Sequence, residues 1–148
     1  MSNQLRISLL HGPNLNLLGE REPHIYGTAT LDDYVEVVRA TAAPFGLEVD
    51  ALQTNHEGAL VDAIHDARTT AAAIIINPGA FTHYAWSLHD ALGAFKGPVI
   101  EVHISNPNSR EAWRHTSVVS PVATGTITGL GIQGYELAVQ AVARRLGL

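Results

Sequence analysis

Ala72-Ala73-Ile74-Ile75-Ile76 is apolar at every position and stops at Asn77-Pro78-Gly79. An unbroken apolar run this short, closed by turn residues, reads as a strand buried on both faces rather than one with a wet side. The same pattern recurs along the chain. Leu5–Leu10 runs into Gly12-Pro13, Leu47–Gln53 alternates, and Pro98–Ile104 and Ala123–Thr128 complete five strands. Between them lie segments of helical spacing over Leu31–Ala43, Glu57–Thr70, Thr82–Phe95 and Gln133–Leu146, with a short helix ending at Arg114. Thr30 and Asp33 form a weak capping box for the first of these, and Pro44 and Gly46 end it. Strand–helix alternation with such short strands predicts an α/β chain whose parallel sheet is covered on both faces. Five strands fit a flavodoxin-like three-layer sandwich. No linker or repeat interrupts the 148 residues, so residues 1–148 are expected to form one domain with a single core.

Ligands of such sheets bind beyond the carboxyl ends of the strands, near a reversal of strand order. Asn14, Asn77 and the Glu101–Ser105 stretch fall at those ends. Glu101 and His103 are two apart on a strand and share a face. A carboxylate beside an imidazole favours its charged form and fixes its orientation, as a general acid requires. A structural ion pair fits the same pattern. Arg21 and Tyr26 lie on the Gly12–Gly27 loop, long enough to suggest a functional lid. A phenol ionises near pH ~10, so one acting as a base near neutrality needs a cation beside it. A cation at ~4 Å in partly buried surroundings offers about 4 kcal/mol. A solvated arginine and a packing tyrosine are the plainer reading. The backbone amides of the Asn77–His83 turn suit an anion, although Thr82 also fits as a helix cap. Arg110 and Arg114, one helical turn apart, fit a carboxylate or a solvated face.

Composition narrows the function classes. The net charge is −5, Lys96 is the only lysine, and no basic run exists, which argues against nucleic acid and anionic membranes as partners. Cysteine is absent, and the eight histidines show no HxxxH or HxH spacing, so no metal is expected. Met1–Arg6 lacks a leader pattern and no apolar run approaches ~20 residues. A soluble cytoplasmic protein is the expectation. Gly129–Gly134 matches GxGxxG, but too little chain follows to complete a dinucleotide-binding unit, and tight strand–helix packing is the better account. A receiver module would place acids after strand 1 and an aspartate after strand 3, where this chain has His11 and Asn77. A flavin-binding module would want a Ser/Thr-rich loop at Asn14–Leu17.

Several motifs in one order carry a more specific resemblance. Gly12-Pro13-Asn14-Leu15-Asn16-Leu17-Leu18-Gly19, Arg21-Glu22-Pro23 with Tyr26-Gly27, and Asn55-His56-Glu57-Gly58 come first. Asn77-Pro78-Gly79 with Thr82-His83, Glu101-Val102-His103-Ile104-Ser105-Asn106 and Thr128–Tyr135 follow. The chain resembles the type II 3-dehydroquinate dehydratases (type II dehydroquinases) nearly end to end. The resemblance implies anti elimination of water from 3-dehydroquinate through an enolate, giving 3-dehydroshikimate, with no cofactor or metal. It implies that Tyr26 is the base, that Arg21 keeps the phenolate available, and that Asn14 holds a water at the enolate. His103 is then the acid, oriented by Glu101. Asn77, His83, Ile104, Ser105 and Arg114 match substrate-binding positions, and Asp90 matches a residue that reaches the site of a neighbouring subunit. The family pattern further implies a homododecamer, a tetramer of trimers, in which the Arg21–Tyr26 loop closes as a lid. After His83 this chain has Tyr84-Ala85-Trp86 where small or hydroxylated residues are common, and His89 where arginine is common.

Overall fold

The structure, a computed structural model, describes residues 5–148. Most of the Met1–Arg6 segment read for a leader lies outside them. The strands are β1 (Arg6–His11), β2 (Glu48–Gln53), β3 (Ala73–Asn77), β4 (Val99–His103) and β5 (Gly125–Thr128). They form one parallel sheet in the order β2-β1-β3-β4-β5. That order is the flavodoxin-like one, with its reversal between β1 and β3.

Alternation along each strand sorts side chains to the two faces. Ile7 and Leu9 of β1 and Ile75 of β3 join Tyr34 and Val38 of α2 (Leu31–Ala42) and Val139 and Val142 of α5 (Ile132–Arg145). Leu10, Ile74 and Ile76 face the other way, onto Leu60 and Ile64 of α3 (Glu57–Thr70) and Leu88 and Leu92 of α4 (Trp86–Gly93). All of β3 is buried, as its sequence requires. The Thr30–Asp33 capping box is formed at the start of α2.

Two expected helices are broken. The segment Thr82–Phe95 divides into a 3-10 turn over Gly79–His83 and helix α4 starting at Trp86. The Thr82 carbonyl accepts from the Val118 N–H at 2.7 Å, and the Trp86 N–H turns to Tyr84 instead, so the helical ladder is interrupted there. The segment before Arg114 is likewise two 3-10 turns, Pro107–Ser109 and Ala112–His115, with Arg110 extended between them. Arg110 and Arg114 therefore do not share a helix face. Conversely, Pro23–Tyr26 forms a single helical turn, α1, inside the long loop; proline at the first position favours it.

Close packing of the strand exits builds the floor of the site. The Gly12 N–H donates to the Asn77 carbonyl at 2.8 Å, and a Cβ on Gly12 would stand 2.1 Å from the Pro78 carbonyl oxygen. Only glycine fits between these loops. Beneath them, Asn77 donates to the Tyr135 hydroxyl at 3.0 Å, which lies 3.0 Å from His11 Nε2, all three side chains being buried. In the GxGxxG segment, Gly129 and Gly131 take positive φ, which glycine adopts without strain, while Gly134 packs on Ile127 and Val102. Among the described residues no helix is long and apolar enough to cross a membrane.

Candidate active site

A cavity of about 240 Å³ opens at the carboxyl ends of β1, β3 and β4. Asn14, Arg21 and Tyr26 line it from the loop after β1, and Asn77 and His83 from the exit of β3. His103, Ile104, Ser105, Arg110 and Arg114 line it from the end of β4 and the turns that follow. Three arginines and two histidines face the space, and among the described residues no carboxylate does. In a chain of net charge −5, that concentration of positive charge selects an anionic ligand.

Tyr26 sits at the end of α1, buried to 9% exposure. Its ring carries the Arg21 guanidinium at 4.9 Å from the centroid. The hydroxyl has a different partner. Arg110 Nη1 donates to it at 2.7 Å and to Ser105 Oγ at 3.1 Å. Arg110 is held by Glu22 at 4.0 Å and Glu111 at 3.8 Å. The sequence pairs Arg110 with Arg114, for a carboxylate or a solvated helix face, and does not bring it to the phenol. The two residues are 84 positions apart, and no local signal joins them.

His103 and Glu101 form the expected pair, with Nε2 at 2.6 Å from Oε2. Glu101 is fully buried behind the imidazole and does not line the cavity. Its carboxylate also accepts from Thr82 at 2.5 Å, Ser117 at 3.0 Å and Ser120 at 2.7 Å. Thr82 thus serves the carboxylate and makes no helix cap. Burial alone would raise the Glu101 pKa, but the hydrogen bond and charge of His103 and the hydroxyls outweigh it and hold the group at about 2. His83 Nδ1 lies 2.7 Å from the Thr116 carbonyl and its ring meets Trp113 edge-on; burial lowers its pKa. Arg114 lies over Trp113 at 4.1 Å and bonds Glu111 at 3.2 Å. Asn14 takes a left-handed conformation (φ 69°), which asparagine tolerates, and its N–H is held by Asn55 at 3.0 Å. Asp90 is exposed on α4 and away from the cavity. Among the described residues no three His, Asp or Glu side chains converge in a way that could hold a metal ion.

The buried acid and imidazole make folding pH-dependent. Glu101 is depressed from 4.5 to about 2, so its contribution is complete above pH 4.5 and lost as pH falls through 2. Burial lowers His11 from 6.5 to about 4, partly offset by the Leu52 backbone. The unfolded chain therefore takes up that proton first, and stability falls between pH 6.5 and 4. Each group is worth about 3 kcal/mol across its window. Urea midpoints are expected to decline from pH 6.5 downward in two overlapping steps; a flat profile from pH 7 to 3 would contradict both assignments.

The family model described as "Dehydroquinase class II" matches residues 5–143. The chain is 59% identical to 3-dehydroquinate dehydratase 1 of Corynebacterium efficiens, over 93% of this chain and 91% of that protein. It is 54% identical to Catabolic 3-dehydroquinase 2 of Aspergillus flavus, over 95% and 93% of the two chains. The crystal structure of the type II dehydroquinase from Propionibacterium acnes superposes with a TM-score of 0.91 at 45% identity, covering 97% of this chain and 99% of that one.

Proposed function

The chain belongs to the class II dehydroquinase family, and on that premise we infer that it is a hydro-lyase that dehydrates 3-dehydroquinate to 3-dehydroshikimate. The reaction serves the shikimate pathway or quinate breakdown, since relatives carry both kinds of name. We propose a single catalytic domain over residues 1–148 that works by anti elimination, without cofactor or metal.

The Tyr26 phenolate takes the proton from the carbon beside the ketone, leaving an enolate. Asn14 holds a water against the enolate oxygen. His103 then gives its proton to the hydroxyl on the opposite side, the carbon–oxygen bond breaks, and water leaves as the enone forms. Splitting the elimination this way requires a base, an acid and an oxyanion partner around one small ring. The observation that carries the reading is that Tyr26, His103 and Asn14 line a single cavity of about 240 Å³. Arg110 supplies positive charge at the phenol oxygen and Arg21 at its ring face. Arg114, Asn77, His83, Ser105 and Ile104 receive the substrate's carboxylate and hydroxyls. Asp90, exposed and remote from this cavity, serves the site of a neighbouring copy in a homododecamer of four trimers. The protein is cytoplasmic, and its partners are substrate and its own copies rather than nucleic acid or membrane.

Ultraviolet absorbance of the conjugated enone is expected to grow when the protein meets 3-dehydroquinate with a chelator present. Turnover abolished by chelator would count against the metal-free mechanism, and binding without turnover would favour a sensor.

A further inference from the structure

The floor behind His103 is built from hydroxyls. Glu101 lies on the interior strand β4 with no exposure, and its two oxygens receive four side chains. Oε2 meets His103 Nε2 at 2.6 Å, Thr82 Oγ1 at 2.5 Å and Ser117 Oγ at 3.0 Å, and Oε1 meets Ser120 Oγ at 2.7 Å. The direction of the Thr82 bond follows from what surrounds Ser117. Ser117 Oγ already accepts the backbone N–H groups of Val119 at 3.1 Å and Ser120 at 2.9 Å, so Thr82 Oγ1, 2.9 Å away, cannot donate to it and directs its own proton at Glu101, while the Ser117 proton goes to Glu101 or to Thr82 Oγ1. An ionised carboxylate can only accept. With hydroxyl protons directed at it, Glu101 offers His103 an acceptor and nothing else. The imidazole nitrogen that faces it must carry a proton in every state of the cycle.

We propose that Thr82, Ser117 and Ser120 are positioning residues whose hydroxyls hold Glu101 as a permanent acceptor, which keeps one proton of His103 on Nε2 throughout, so that the second proton of the imidazolium, on Nδ1, is the one delivered to the departing hydroxyl and the neutral Nε2–H imidazole is left behind. The proposal rests on the dehydratase reading of the cavity. It adds that the acid's tautomer is set by residues from two separate segments that do not line the space where substrate binds. The low pKa of Glu101 is consistent with this cradle.

Thr82→Val keeps the side-chain shape and removes one hydroxyl; Thr82→Ser keeps the hydroxyl and removes a methyl. In full-length protein, kcat for 3-dehydroquinate is expected to fall roughly tenfold in Thr82→Val with KM within about twofold, and to recover most of that loss in Thr82→Ser. With ¹⁵N-labelled histidine, the downfield Nε2–H proton of His103 should move in Thr82→Val and stay in place in Thr82→Ser. Equal losses in both variants, or an unmoved Nε2–H signal in Thr82→Val, overturn the proposal. If Thr82→Val does not fold, Ser120→Ala against Ser120→Thr gives the same comparison. A wild-type protein that folds but leaves 3-dehydroquinate untouched refutes the activity, while the resonance still decides the cradle.

Discussion

Tyr26→Phe is expected to lower kcat by about 10²- to 10⁴-fold while the protein keeps its fold. The substitution removes one oxygen. The ring stays packed with Ile25 in the core beneath the loop and keeps the Arg21 guanidinium on its face. Arg110 loses its 2.7 Å acceptor and retains Ser105 at 3.1 Å and its acidic neighbours Glu22 and Glu111. Binding therefore changes little and the loss falls on the chemical step. Because the missing group is the proposed base, the variant should also fail to exchange the substrate's acidic C–H with deuterium from solvent. A Tyr26→Phe enzyme with near-normal kcat would remove the assigned base.

His103→Ala is expected to cost a similar factor in kcat, with a different signature. Tyr26 and the oxyanion partner remain, so the enolate still forms and reverts, and solvent deuterium should still enter the substrate while elimination stalls. Stability should fall as well. Glu101 is fully buried and loses its 2.6 Å imidazole partner. Stranding one member of a buried pair costs about 3–5 kcal/mol when nothing else satisfies it. Thr82, Ser117 and Ser120 remain as donors, so a loss toward the lower end is expected. Urea denaturation and deuterium exchange followed by NMR together separate the two variants. Loss of both exchange and elimination in His103→Ala would mean that the imidazole acts before the enolate, against the assigned order.

The sheet was legible because burial leaves a direct trace. Ile74–Ile76 has no polar position and β3 has no exposed one. The Glu101–His103 contact was legible because two residues on one strand share a face by geometry alone. The helix over Thr82–Phe95 was misread for a long-range reason: the Val118 N–H captures the Thr82 carbonyl, and nothing near Thr82 in sequence announces it. The same holds for Arg110 at the phenol and for the three hydroxyls on Glu101. Each depends on a contact set by the fold between residues far apart in the chain, whereas propensity and spacing report only on neighbours.

The proposed base and the proposed acid are anchored unequally. His103 ends β4, an interior strand laced to β3 on one side and β5 on the other. Tyr26 rides on a single turn whose backbone bonds close on Glu22 and Pro23, within the same loop. Opening that turn forfeits a few local bonds, the Arg110 contacts to Tyr26 and Glu22 and the burial of one ring, while displacing the imidazole means unzipping β4 from its neighbours. Mild denaturant should then silence catalysis well before the global transition, as the peptide around Tyr26 becomes the first cut by a protease.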